Sequence, residues 1–165
     1  EHFISIYNQT MQRDNAEEYY YFQEEFYKAI HDYLKGNYQV FYATLDDQII
    51  AVSIILYANK QMHYHLSGSL SEYRSFAPTN LLLYEVALWG HQEGYKTFHL
   101  GGGLGSGNDN LYKFKAAFNR KSGLQFSIGK QIFNQALYNQ LVEERLAEDP
   151  NFDLEGKYFP LYRAK

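Results

Sequence analysis

The sequence predicts an α+β fold built on a mixed, mainly antiparallel sheet with helices on both faces, and three observations carry the prediction. Apolar spacing changes from helical to alternating near residue 38. Three runs rich in β-branched and aromatic residues then follow one another through short turns. After them an apolar helical stretch leads into one more short strand, and a crossover of that length joins parallel strands.

Each element has its own signal. Phe3, Ile6, Tyr7 and Met11 predict a helix over 3–11, and Tyr19, Phe22, Phe26, Tyr27 and Ile30 predict a second over 17–34, ended by Gly36. Residues 38–45 and 48–57 flank Asp46-Asp47 as a hairpin. Ala58-Asn59-Lys60 turns the chain into 61–67, where Met62, Tyr64 and Leu66 alternate with His63, His65 and Ser67. A loop over 69–77 precedes Pro78, which with Thr79 or Asn80 opens a helix. Its stretch 81–90 is apolar almost all round, which predicts burial between other elements, and Gly94 caps it. A short strand at 96–100 runs into Gly101-Gly102-Gly103-Leu104-Gly105-Ser106-Gly107, and a helix over 110–120 follows, capped by Asn108 or Asp109. A strand at 124–133, a helix at 135–146, a turn at Pro150 and a last strand at 157–162 complete the order. With 165 residues, one domain spanning 1–165 is expected.

Composition excludes several classes. There is no cysteine, so no disulfide framework, zinc ribbon or thiol nucleophile. The net charge of −4 attracts neither nucleic acid nor an anionic membrane globally. No apolar run reaches the roughly 18 residues of a membrane span and no secretory leader opens the chain, so a cytoplasmic location is expected. Glu1 rather than Met comes first, which is expected of a fragment. The unusual quantity is aromatic: 17 Tyr, 12 Phe and 1 Trp supply burial with polar tips, mostly as core.

Chemistry concentrates in the second half. The glycine cluster between a strand and a helix suits an anion or a carbonyl oxygen, although it matches neither the dinucleotide fingerprint nor the phosphate loop. On the following helix Lys115 falls about 40° from Leu111 at about 100° per residue, on the edge of the apolar stripe made with Phe114 and Phe118. A lysine so placed can stabilise an oxyanion, and Phe114 is expected to orient it by a cation–π contact. His63 and His65 share a strand face and His99 lies on the next parallel strand. A hydrogen-bonded structural role suits them, and the catalytic alternative is a proton carrier at the seam between those strands, with His65 and His99 as the candidates. No third ligand accompanies the histidines, so no metal is expected. Glu85 on the apolar helix reads as structurally paired. Ser67, Ser69 and Ser106 lie in no nucleophile elbow, which favours direct transfer between two bound substrates.

The run from His63 to Arg120 carries Tyr64-His65-Leu66-Ser67-Gly68-Ser69, Tyr73-Arg74, Pro78-Thr79-Asn80-Leu81-Leu82-Leu83, Leu100-Gly101-Gly102-Gly103, Tyr112-Lys113-Phe114-Lys115 and Phe118. It resembles the branch of the GNAT-fold acyltransferases that holds the Fem-type peptidoglycan-bridge aminoacyltransferases and related acetyltransferase domains. The resemblance implies a GNAT fold, a chain that is the second half of a two-domain enzyme, and Lys115 with Phe114 in the chemistry. It implies donor contacts at Arg74, Thr79, Asn80, Gly101, Gly102 and Gly103, with no permanently bound cofactor. The donor is aminoacyl-tRNA or acetyl-CoA. The usual coenzyme A pyrophosphate motif is matched here only by Arg74-Ser75-Phe76-Ala77-Pro78-Thr79, in which both glycines are lost and Pro78 has no N–H to donate. That departure favours an aminoacyl group carried by tRNA onto a primary amine of a small-molecule or peptidoglycan-precursor acceptor. The alternatives are an acyl-CoA-dependent N-acetyltransferase and a non-catalytic binding domain.

Overall fold

The computed structural model describes residues 1–104 and 107–164. Its contacts gather into two compact units, Glu1–Lys121 and Ser122–Lys165. In the first, β1 (Tyr38–Leu45), β2 (Gln48–Ala58), β3 (Gln61–Ser69) and β4 (Thr97–His99) pair in sequence order. The first three are antiparallel and β4 joins β3 in parallel, as the crossover requires. Both hairpin turns are formed by two residues at positive φ, Asp46 and Asp47 in one, Asn59 and Lys60 in the other. That geometry matches the twist of the flanking strands.

β2 is covered on both sides, which is why Ile50 to Ile55 form an unbroken buried run rather than an alternating one. On one face α1 (His2–Arg13) packs Ile6 against Val52 and Leu70. On the other, α3 (Pro78–Gln92) packs Leu82 and Val86 against Ala51, Ile55 and Met62. Trp89 of α3 completes that layer, its ring centroid 5.1 Å from Phe41, 5.7 Å from Tyr57 and 5.6 Å from Tyr95. One side of α3 stays open: Leu81, Tyr84, Glu85 and Leu88 are exposed, which corrects the expectation of a helix buried all round.

α1 meets the end of β3 at backbone distance. A Cβ on Gly68 would lie 2.8 Å from the Ile6 carbonyl oxygen and 2.9 Å from Tyr7 Cα. The buried Thr10 hydroxyl accepts from Ser69 N–H at 2.9 Å and donates to the Ile6 carbonyl at 2.8 Å. The helix expected over 17–34 is broken. A 3-10 turn at Glu18–Tyr20 precedes α2 (Glu24–Tyr33), and the Tyr20 carbonyl takes its hydrogen bond from the Tyr7 hydroxyl at 3.0 Å instead of from a helical amide. Phe3, Tyr7, Phe22, Phe26 and Tyr27 form one aromatic cluster around that bond.

In the second unit α5 (Gln135–Glu148) is capped by Asn134, which accepts from Leu137 N–H at 3.0 Å. Tyr138 stacks on Phe159 and receives the Leu161 amide at 3.0 Å. Neither strand expected in this unit forms. Residues 124–133 keep their alternation, but nothing among the described residues ladders with them, and Leu124, Phe126 and Ile128 are 93%, 78% and 67% exposed. The stretch 157–162 ends instead in a 3-10 turn, Leu161–Arg163, after Pro160, which has no N–H for a ladder.

Two stability effects follow. Gly68→Ala forces α1 from its seat and is expected to lower the unfolding free energy by about 2–3 kcal/mol, read from the denaturant midpoint. The Tyr27 hydroxyl is buried without a partner among the described residues, and burial pushes its pKa up to about 12 from 10.0. The unfolded chain ionises this phenol first, so stability present below pH 10 is lost as pH rises towards 12. Tyr27→Phe is expected to flatten that alkaline loss and to add about 1 kcal/mol at pH 7, measured by urea unfolding across pH.

Candidate active site

β3 and β4 share three pairs only: Gln61 with Thr97, Met62 with Phe98, and His63 with His99. There β4 ends, and the chain turns away through Leu100 and Gly101, whose φ of 76° favours glycine. β3 runs on to Ser69 with no further strand on that side among the described residues. The two strands therefore open into a V whose vertex is the His63–His99 pair. Just beyond it the β2–β3 register slips between Ile54 and Ile55, which face Leu66 and Tyr64 and leave His65 outside the ladder as a bulge.

Lys115 bridges the arms of the V. It stands on α4 (Asn110–Ala116), whose N-cap Asp109 accepts from Tyr112 N–H at 2.7 Å and from Leu104 N–H at 2.6 Å. These amides hold the Asp109 carboxyl below the usual range. Lys115 Nζ donates to the Gly102 carbonyl at 2.9 Å and lies 5.8 Å from the centre of the Tyr64 ring. The ammonium is half-buried, and burial lowers its pKa while Asp109 opposes the shift. Tyr64, its own pKa raised by burial, is hydrogen-bonded to Ser67.

The glycines explain how this lysine is held. A Cβ on Gly101 would stand 3.4 Å from Lys115 Nζ, and one on Gly103 would stand 2.3 Å from Asp109 Oδ1. Gly101, Gly102 and Gly103 thus cradle Lys115 and the helix cap, and the Gly102 carbonyl is spent on the lysine. Gly105 and Ser106 of the same loop lie outside the described residues. Phe114 does not meet Lys115 as expected, because adjacent helical positions diverge by about 100°. Its ring packs edge-on against Phe118 at 5.6 Å, beyond the end of the helix, and the ring near Lys115 is that of Tyr64.

At the vertex His63 Nδ1 and His99 Nδ1 are 3.0 Å apart, with ring centroids 5.1 Å apart and planes 22° from parallel. His65 is 5.9 Å from His63 and 6.3 Å from Phe26, centroid to centroid. Burial, then the positive charges His99 and His65 can carry, lower the His63 pKa; burial alone lowers that of His65. Of the three histidines at this seam the sequence singles out His65 and His99, and the structure pairs His63 rather than His65 with His99. Only the parallel register puts His63 opposite His99, and nothing local in the sequence specifies that register.

Arg74, Thr79 and Asn80 lie around the start of α3. Arg74 is exposed on a 3-10 turn, Ser71–Phe76. The amides of Asn80 and Leu81 both turn to the Ala77 carbonyl, at 3.0 and 3.4 Å, and Pro78 has none. Among the described residues nothing accepts from the Thr79 N–H, the remaining amide of the first three helical positions.

Residues 1–116 match a family described as an acetyltransferase (GNAT) domain. The chain belongs to that family: it is an acyltransferase on the GNAT fold. Among solved structures it is similar to the aminoglycoside acetyltransferase meta-AAC0020 from an uncultured soil metagenomic sample, in complex with sisomicin. The identity is 11%, over 80% of this chain and 86% of that one, with a TM-score of 0.57. It is also similar to the aminoglycoside acetyltransferase HMB0005, again from an uncultured soil metagenomic sample, at 9% identity over 79% of this chain and 88% of that one, with a TM-score of 0.54. At such identities the likeness shows the fold. No curated protein matches the chain.

Asp109 both caps α4 and raises the Lys115 pKa against burial. Asp109→Ala is expected to cost about 1 kcal/mol of stability and to move the Lys115 titration, followed by NMR at the side-chain carbon next to Nζ, to lower pH.

Proposed function

We propose that this domain moves an acyl group from an acyl thioester, acetyl-CoA in the first instance, onto a primary amine of a small cationic acceptor. The observation that carries the reading is the V itself: a free β3 edge beyond His63, with Lys115 held across it between Gly102 and Tyr64. An extended, amide-bearing donor arm can add to such an edge as a strand does. The thioester carbonyl would then lie near the His65 bulge, where backbone groups are released from the ladder, and near the Lys115 ammonium. The amine nitrogen attacks the carbonyl carbon, Lys115 stabilises the oxyanion that develops, and the C–S bond breaks as the tetrahedral centre collapses. Direct attack needs no enzyme nucleophile.

The acceptor's charge is suggested by the segment facing the bulge. Between Asp14 and Tyr27 lie Glu17, Glu18, Glu24 and Glu25, all exposed, with no lysine or arginine between them. Tyr19 to Phe22 add aromatic faces, and Phe26 reaches His65. Carboxylates beside aromatic rings suit a polyamine, the chemistry of the sisomicin bound to one structural neighbour.

A second reading keeps the transfer and changes the donor. Among the described residues the start of α3 offers Thr79 as its one free amide, a poor seat for a pyrophosphate. That favours an aminoacyl-tRNA donor and a cell-wall-precursor acceptor, as in the Fem-type enzymes, with Arg74 and Asn80 as donor contacts in either case. The −4 charge counts against tRNA.

Calorimetric titration with acetyl-CoA separates the two. Micromolar binding, with acetylation of a polyamine, is expected, whereas absent binding together with aminoacyl transfer from charged tRNA turns the reading to the second. Lys115→Ala is expected to lower kcat about a hundredfold or more and to leave acetyl-CoA binding nearly intact; unchanged turnover removes the role given to Lys115.

A further inference from the structure

We propose that His63 and His99 work as a single proton-carrying pair at the vertex of the V, taking the proton that the attacking amine releases and returning one to the leaving group. The proposal rests on the acyl-transfer reading and adds to it the path of the proton.

The geometry sets the chemistry. Two Nδ1 atoms 3.0 Å apart share a hydrogen bond only if one ring carries hydrogen on Nδ1 and the other does not. In the neutral pair the first ring therefore has a bare Nε2, able to accept a proton, and the second has Nε2–H, able to give one. His63 is the half-buried member and His99 the exposed one, so the bond runs from the site to water. With His63 as donor, its Nε2 accepts the proton from the amine nitrogen as the N–C bond forms. The Nδ1 hydrogen passes to His99, and His99 Nε2–H goes to solvent. When the C–S bond breaks, the thiolate takes the proton from His63 Nε2, the shared hydrogen returns to His63 Nδ1, and His99 Nε2 is reprotonated by water. One proton leaves, one enters, and both rings recover their starting tautomers.

The groups facing the pair favour outward movement. His65 and Tyr64 flank it on β3, Lys115 reaches in from α4, and His65 is backed by Phe26 from α2. The Lys115 and His65 charges act on His63 and lower its pKa, as burial does, so a cation is resisted on the inner ring. That leaves the His63 ring disposed to stay uncharged until it accepts the substrate's proton.

Two measurements on the intact chain test the pair. In 15N-histidine spectra at neutral pH, one ring of the two is expected to show Nδ1–H and the other Nε2–H, with scalar coupling across the shared hydrogen. In His99→Gln the His63 midpoint should rise. In steady-state acetylation, His63→Gln and His99→Gln are each expected to lower kcat about a hundredfold with KM for acetyl-CoA nearly unchanged. The double variant should lose no more than the worse single one, as groups acting as a unit do. His99 is exposed, so its variant keeps the test open if His63→Gln fails to fold. Two Nε2–H tautomers, or single-variant losses that multiply, would overturn the pair. Active wild type with unimpaired variants also overturns it while sparing the acyl-transfer reading; wild type inactive with both donors sinks that reading and the pair with it.

Discussion

Where the parallel pairing of β3 with β4 stops decides nearly everything about this site. Three residue pairs attach β4 to the sheet, and the last of them joins two histidines. Had the ladder continued by two more pairs, Gly101 would have been drawn into the strand, its positive φ would have been lost, and the Gly102 carbonyl would have faced β3 instead of Lys115. The bulge at His65 works from the other side, by spoiling the β2–β3 register at the same level. Sheet geometry rather than loop chemistry thus produces the opening. The catalytic side chains proposed here are fastened to strand ends and to one short helix, which are stiffer supports than a free loop.

The polarity of that opening is uneven. One arm carries a partly buried, hydrogen-bonded tyrosine and the other a backbone carbonyl already engaged by an ammonium. Lys115 therefore sits in a place where its charge is opposed by burial and supported by Asp109 through the helix it caps. The glycines matter for what they lack: a methyl group at Gly103 would collide with the carboxylate that orders the helix. The sequence suits this cluster to an anion or a carbonyl oxygen, whereas in the structure Gly101, Gly102 and Gly103 seat a cation, the Lys115 ammonium, and the cap of its helix.

Much of the architecture was legible in the sequence, and most of the failures share a cause. Both hairpins were readable because Asp46-Asp47 and Asn59-Lys60 are local turn signals, and β4 because the crossover rule is topological. Lys115 was legible from helical phase alone. What could not be read depended on partners distant in sequence. The Tyr7 hydroxyl interrupts the expected helix at Tyr20, Tyr64 rather than Phe114 approaches the lysine, and His63 finds His99 through a register that no local pattern encodes. The strand expected at 124–133 failed for the same reason, since alternation describes a face and not the neighbour that must cover it; at 157–162 the signal was local, because Pro160 has no N–H for a ladder.

The chain's one tryptophan has a use beyond packing. Trp89 lies against Phe41 of β1 and Tyr57 of β2, within the layer that α3 forms on the sheet. Its emission is therefore an intrinsic optical reporter of the first unit, sensitive to the undocking of one helix. The second unit, Ser122–Lys165, contains no indole. A calorimetric transition that passes without a change in tryptophan fluorescence would belong to those last residues, so the two units can be melted apart on paper with no label attached to either.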